Sequence, residues 1–170
     1  MERIGQYTYP SITQDIIDKS IEDLKFLYNN KFTNPDYDQQ SLPFLFHSSN
    51  PRQGKNWYVL RDTFIDSIIK FTGVNFINYK AWSFACFPGT ECLQRHWHSH
   101  IYAKYSAILY LSLPAGSETT EFIRKDNTSF FLPPKLQTWF TYDAAFVHRN
   151  GYWDYKNIND YRFVIAASAW

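Results

Sequence analysis

The sequence predicts a mainly β fold, a sandwich or barrel, with helices gathered at its N-terminal end. Three observations carry that expectation. Two segments before Gly73 place apolar residues at helical spacing, the residues after it fall into short aromatic and β-branched runs divided by turn signals, and aromatic residues make up 20% of the chain. Aromatic side chains favour the pleated, half-buried surface of a sheet. At 170 residues the chain has the size of one domain, expected to span 1–170, with a helical prelude and connections over 1–78 and a β core over 79–170.

Each element has a local reason. Ser11 or Thr13 can cap a first helix that carries Ile16, Ile17, Ile21, Leu24, Leu27 and Tyr28 on one side, with Asp15 and Asp18 near its start and its end near Asn29-Asn30. Phe32 to Asn56 holds Pro35, Pro43, Pro51 and Gly54 among polar residues, which reads as a long irregular connection. A second helix is expected from about Tyr58 to Phe71, with Leu60, Phe64, Ile65, Ile68 and Ile69 on one face and Gly73 as its C-terminal stop. Strands are expected over Tyr79–Phe87, Tyr105–Leu113, Thr119–Arg124, Ser129–Leu132, Gln137–Tyr142 and Arg162–Trp170. Between them lie the turn signals Pro88-Gly89, Pro114 to Gly116, Asp126-Asn127 and Pro133-Pro134.

Composition narrows the function classes. The formal net charge is +1 with acids and bases interspersed, so there is no clear nucleic-acid footprint. No apolar stretch reaches transmembrane length, and Met1 to Pro10 lacks the apolar run of a secretory leader, so a cytoplasmic protein with no membrane role is expected. Cys86 and Cys92 have neither zinc-finger nor redox spacing and read as reduced thiols.

The histidines are concentrated. Of five in the chain, four are His96, His98, His100 and His148. On an extended strand, residues two apart share a face, so an H-x-H pair can converge on one metal ion, and His148 after the apolar run Ala144-Ala145-Phe146-Val147 can supply a third imidazole from a neighbouring strand. Imidazole suits iron, zinc, copper and nickel alike. On spacing alone, His96 with His98 and His98 with His100 are equally good pairs.

The run His98-Ser-His100-Ile-Tyr-Ala-Lys-Tyr-Ser106-Ala-Ile-Leu-Tyr110-Leu, followed by Pro114, resembles a signature of Fe(II)/2-oxoglutarate oxygenase-like proteins, in a subgroup common in bacteria and phages. Trp82 and Phe87-Pro88-Gly89 upstream, and Glu121-Phe122, His148 and Arg162 to Ser168 downstream, follow in the order of that family's core. The resemblance covers about half the chain, Tyr79 to Trp170. It implies a double-stranded β-helix, the jelly-roll, cupin-like core. It further implies Fe(II) held by His98, His100 and His148, and 2-oxoglutarate as cosubstrate with its distal carboxylate on Arg162 and the hydroxyl of Tyr110 nearby. The implied activity is a dioxygenase that takes O2, converts 2-oxoglutarate to succinate and CO2 and, by default, hydroxylates a substrate framed by residues such as Trp97, Tyr102, Tyr105 and Trp153. A phage-encoded protein of this kind would act in the host cytoplasm.

Bland readings stand beside these roles: Arg162 as a surface arginine paired with Asp154 or Asp160, and Tyr110 as a core aromatic. Two features depart from the family pattern. His100 stands where most members have aspartate, which removes one negative charge from the ligand set. Tyr142-Asp143 replaces the usual Phe-Pro before the last ligand. A three-histidine zinc lyase or hydrolase, and a non-catalytic β-helix binding or structural protein of phage type, are the alternative functions. Substrate identity and oligomeric state are not readable from the sequence.

Overall fold

A computed structural model describes residues 2–30, 32, 41–42, 45–86, 96–152 and 162–170, with side chains of 41 and 84–86 outside the description. The elements in chain order are β1 (Ile4–Thr8), α1 (Gln14–Asn29), β2 (Ser41–Leu42), α2 (Lys55–Thr72), β3 (Tyr79–Cys86), β4 (Tyr105–Tyr110), β5 (Glu121–Ile123), β6 (Ser129–Phe131), β7 (Thr138–Asp143), β8 (His148–Arg149) and β9 (Arg162–Ala169). The strands form a six-stranded sheet in the order β1-β7-β4-β9-β3-β2 and a three-stranded sheet in the order β6-β5-β8. All pairings are antiparallel. The fold is mainly β with N-terminal helices and a jelly-roll core, as the sequence predicts.

The six-stranded sheet separates two apolar clusters, because successive side chains on a strand point to opposite faces. On β9, Phe163, Ile165, Ala167 and Ala169 join Ala81, Ala107, Leu109 and Trp139 against Ile12, Leu24, Leu27, Trp57, Leu60 and Phe64 of the helical layer. Val164 faces the other way, with Ile108, Tyr110, Phe140 and Tyr142, and meets Phe122, Leu132 and Phe146 from the smaller sheet and its flanks. The helices therefore buttress one face and leave the opposite face, the interior of the jelly roll, to carry polar groups.

Several boundaries differ from expectation. Thr13 caps α1, its hydroxyl accepting from the Ile16 N–H at 3.3 Å. Helix α2 starts at Lys55, three residues early, since Gly54 is extended at φ −172° and serves as the cap; Gly73 ends it at φ 75° in the left-handed region that glycine tolerates. Strand β1 was not anticipated. It has only five residues, two of them the polar Gln6 and Thr8, and exists through its register with β7, from Ile4↔Tyr142 to Thr8↔Thr138, a long-range pairing that local propensity does not report. Gln137, expected within a strand, has φ 56° and instead turns the chain into β7. The expected Pro88-Gly89 turn and Cys92 lie outside the described residues.

The two helices are tied together by a buried carboxylate. Asp23 of α1, 0% exposed, accepts from Asn56 Nδ2 and Trp57 Nε1 of α2, each at 3.1 Å, and from Arg52 Nε at 3.0 Å, while Lys19 Nζ lies 3.0 Å away. Every lone pair faces a donor, which is what makes a buried carboxylate tolerable. Replacing Asp23 by Ala strands the Asn56 and Trp57 donors, and urea denaturation should show a loss of about 2–5 kcal/mol. A loss below about 1 kcal/mol would contradict this account of the helical layer.

Candidate metal centre

The smaller sheet reaches the histidine-rich segment through one reciprocal backbone pair. The His98 N–H donates to the His148 carbonyl and the His148 N–H to the His98 carbonyl, both at 2.9 Å, forming an isolated antiparallel bridge. Two residues on, the His100 N–H donates to the Ala144 carbonyl at 2.8 Å. The His98–His100 stretch is thus not part of a regular strand; it lies extended along the 144–148 segment and feeds β4. Directly opposed, His98 and His148 have ring centroids 4.5 Å apart, and His100 completes a triangle at 5.3 Å from His98 and 5.0 Å from His148. The donor atoms of the three imidazoles all lie within 4.8 Å of one another, a group able to hold a metal ion.

Each ring has its outer nitrogen occupied. His98 Nδ1 lies 3.0 Å from the His96 carbonyl oxygen and His148 Nδ1 lies 2.9 Å from that of Phe146. A carbonyl only accepts, so in both rings the proton sits on Nδ1 and the Nε2 lone pair is left free. His100 Nδ1 lies 3.2 Å from the Tyr102 hydroxyl. Packing fixes the rings further: Phe122 and Tyr142 flank His148 at 5.2 and 5.3 Å, and Trp82 stands edge-on to His100 at 5.5 Å.

Electrostatics keep the imidazoles neutral. Burial pushes His148 down to about 3 and His100 down to about 4, with neighbouring histidines adding to the effect and the Lys80 ammonium contributing at His100. His98 is lowered by the same burial. Neutral imidazole is the form that binds a metal. His96 stands apart: it is exposed, its ring is 5.5 Å from that of His98, and it is not in the converging group.

Arg162 opens β9 on the interior face and is 0% exposed. None of its three guanidinium nitrogens has a hydrogen-bond partner among the described residues. Its burial excludes the surface role; Asp154 and Asp160 lie outside the described residues. The guanidinium carbon is 5.9 Å from the Tyr110 ring centroid. Tyr110 is also fully buried, its hydroxyl donating to Thr120 Oγ1 and accepting from the Thr120 N–H, both at 2.7 Å. Burial raises its pKa despite Arg162, so it stays a neutral phenol.

Of the residues expected to frame a substrate, Tyr102 is at the centre. Tyr105 is not: it packs edge-on against Phe71 and Phe76 on the helical side. Trp97 lies under the Arg149 guanidinium, 4.3 Å from its ring centroid, and Arg149 is held in turn by Glu121 at 2.7 Å. Trp153 lies outside the described residues. Lys80 and Trp82 line the His100 side, and sequence reasoning missed Lys80 because only the register of β3 shows which way it faces.

No family model matches the sequence, and no curated protein matches it. Its structure, however, is similar to that of a Pseudomonas putida prolyl-4-hydroxylase, with a TM-score of 0.70 at 11% identity over 99% of this chain and 93% of that one. It is similar to the non-heme alpha-ketoglutarate-dependent epimerase SnoN of nogalamycin biosynthesis, TM-score 0.67 at 8% identity over 98% and 76% of the two chains. A 2OG-Fe(II) oxygenase family protein from Caulobacter crescentus gives 0.64 at 9% identity over 99% and 77%. The fold is therefore that of the 2-oxoglutarate/Fe(II) oxygenases, a jelly roll with the histidine triad on its interior side.

Holding three imidazoles neutral has a thermodynamic consequence. Their folded-state pKa values lie below the ordinary 6.5 of an unfolded chain, so below that pH the unfolded state binds more protons and stability is lost as pH falls toward about 4 and then 3. The metal-free protein should lose urea resistance between pH 6.5 and about 5, above most carboxylate titration, and His148→Gln should reduce that slope. A flat midpoint across this window would contradict the burial of the triad.

Proposed function

We propose that this protein is an Fe(II)- and 2-oxoglutarate-dependent oxygenase in which His98, His100 and His148 hold the metal and Arg162 anchors the distal carboxylate of 2-oxoglutarate. The observation that carries the reading is the buried Arg162 guanidinium without a hydrogen-bond partner among the described residues, on the same interior face as the imidazoles. The histidines alone suit a zinc hydrolase equally well. An interior guanidinium without a hydrogen-bond partner among the described residues does not, because the attraction of the Glu118 charge leaves its N–H donors unfilled and a dicarboxylate would fill them.

The donor chemistry fits the implied groups. Three neutral imidazoles, those of His98 and His148 with Nε2 free, form an open ligand set, and the planar guanidinium fork matches a carboxylate through two parallel hydrogen bonds. When bound, the iron and 2-oxoglutarate supply O2-dependent oxidation, by default hydroxylation, coupled to formation of succinate and CO2. The chain's own residues do the rest. The carbonyls of His96 and Phe146 hold two imidazoles in the ligating tautomer. Phe122, Tyr142 and Trp82 fix the rings and limit water. Tyr110 and Thr120, locked to each other, form a neutral polar wall beside the anchor. The substrates and reactions of the similar structures belong to those proteins. An all-imidazole set leaves the metal one negative charge short of the usual two-histidine, one-carboxylate arrangement, so weaker Fe(II) retention is expected.

The assignment separates the histidines. His98 Nδ1 is held by the backbone carbonyl of His96, not by its ring, so His96→Ala should cost at most about ten- to hundredfold in metal affinity or activity, whereas His100→Ala should abolish both. The opposite ranking would move the metal to His96 and His98. Arg162→Lys keeps the charge but loses the fork, and calorimetric titration should show 2-oxoglutarate weakened by about 1–3 kcal/mol with metal binding intact. Unchanged cosubstrate affinity would overturn the anchor.

A further inference from the structure

We propose that Lys80, with the rings of Tyr102 and Trp170, forms the subsite that receives an anionic group of the organic substrate, a carboxylate or phosphate monoester borne on an apolar or aromatic body. This rests on the oxygenase reading for the reaction that follows, but the binding itself involves neither metal nor cosubstrate.

The register of β3 sets the direction of Lys80. Tyr79 and Ala81 pack into the helix-side cluster, so Lys80 and Trp82 project to the opposite face, where the Trp82 ring meets His100 at 5.5 Å. The Lys80 Nζ lies 4.5 Å from the Tyr102 ring centroid, 5.7 Å from Trp82 and 6.0 Å from Trp170. It makes no ion pair among the described residues, whereas Arg149 at the rim has Glu121. Ring faces compensate an ammonium only partly, and they leave its N–H donors to be satisfied by an oxyanion.

The surroundings describe the rest of the ligand. Tyr102 is 55% exposed and Trp170 41%, two flat rings near the ammonium that are open to solvent. Tyr102 also contacts His100 through its hydroxyl, which places this rim at the edge of the metal centre. Lys80 and Arg162 are well separated. In the β3–β9 register Lys80 pairs with Ser168 and Cys86 with Arg162, six residues along, or about 20 Å. His100 lies against Trp82, between those positions. One cation therefore serves the dicarboxylate at the floor, and the other an anion entering from the mouth.

The test uses the full metal-free chain and three defined probes: phenyl phosphate, phenylacetate and the neutral benzyl alcohol. Binding is read from the indole N–H signals of Trp82 and Trp170 by NMR, assigned through Trp→Phe variants. Both anions, or whichever of the two matches the substrate's group, should shift these signals saturably and benzyl alcohol should not. Lys80→Gln should weaken that binding by about tenfold or more, Lys80→Arg should restore it, and Arg162→Gln should leave it in place. Lys80→Gln should still bind metal and 2-oxoglutarate, showing that the chain is folded. Equal affinity for benzyl alcohol, binding unchanged in Lys80→Gln, or binding lost only in Arg162→Gln would each overturn the subsite. Failure of 2-oxoglutarate to bind the wild-type protein would instead strike the oxygenase reading, since Lys80-dependent probe binding is measured without it.

Discussion

A guanidinium taken out of water into a protein interior loses its hydration, and the loss is recovered only if an anion or a set of acceptors replaces the water. Arg162 is in that position, fully buried and without a hydrogen-bond partner among the described residues. It opens β9, the strand hydrogen-bonded on both sides within the large sheet, between β3 and β4. Tyr110, whose ring centroid is 5.9 Å from the guanidinium carbon, has its hydroxyl bonded to Thr120. The fold thus holds a guanidinium whose N–H donors its own described residues do not hydrogen-bond, the Glu118 carboxylate acting on it only through its charge, and on the proposed reading a carboxylate ligand would fill them.

The rest of the architecture reads as support for that interior. Helices α1 and α2, joined at Asp23, cover one face of the large sheet so that the other is free to carry chemistry. The smaller sheet delivers His148 through β8, and the reciprocal His98–His148 backbone pair brings together segments 50 positions apart by number. Because the two residues are directly opposed, their rings are fixed relative to each other by backbone hydrogen bonds, with aromatic packing as the second restraint. Preorganised, neutral, correctly protonated imidazoles need little rearrangement to accept a metal.

The parts of this picture that depend on local pattern were legible in the sequence. Helical periodicity gave α1 and α2, turn residues delimited most strands, and an aromatic and β-branched run marked the Arg162 strand. The concentration of histidines pointed to the metal centre, and the ordered resemblance from His98 to Arg162 pointed to the jelly roll. The parts that depend on long-range pairing were not legible. Strand β1 is created by its register with β7, β8 is only two residues long, and the helical-side location of Tyr105 follows from which face of β4 meets Phe71 and Phe76. Spacing alone could not choose between His96 and His100; the bridge of His98 to His148 and the Ala144 contact of His100 draw His100 inward and leave His96 outside.

The most direct test of the central claim is an anaerobic crystal structure of the protein with Fe(II) and 2-oxoglutarate. The account predicts one metal ion bound by Nε2 of His98, His100 and His148, with a carboxylate of 2-oxoglutarate on the Arg162 guanidinium. Metal on another residue set, or an Arg162 that makes no contact with the cosubstrate, would contradict it.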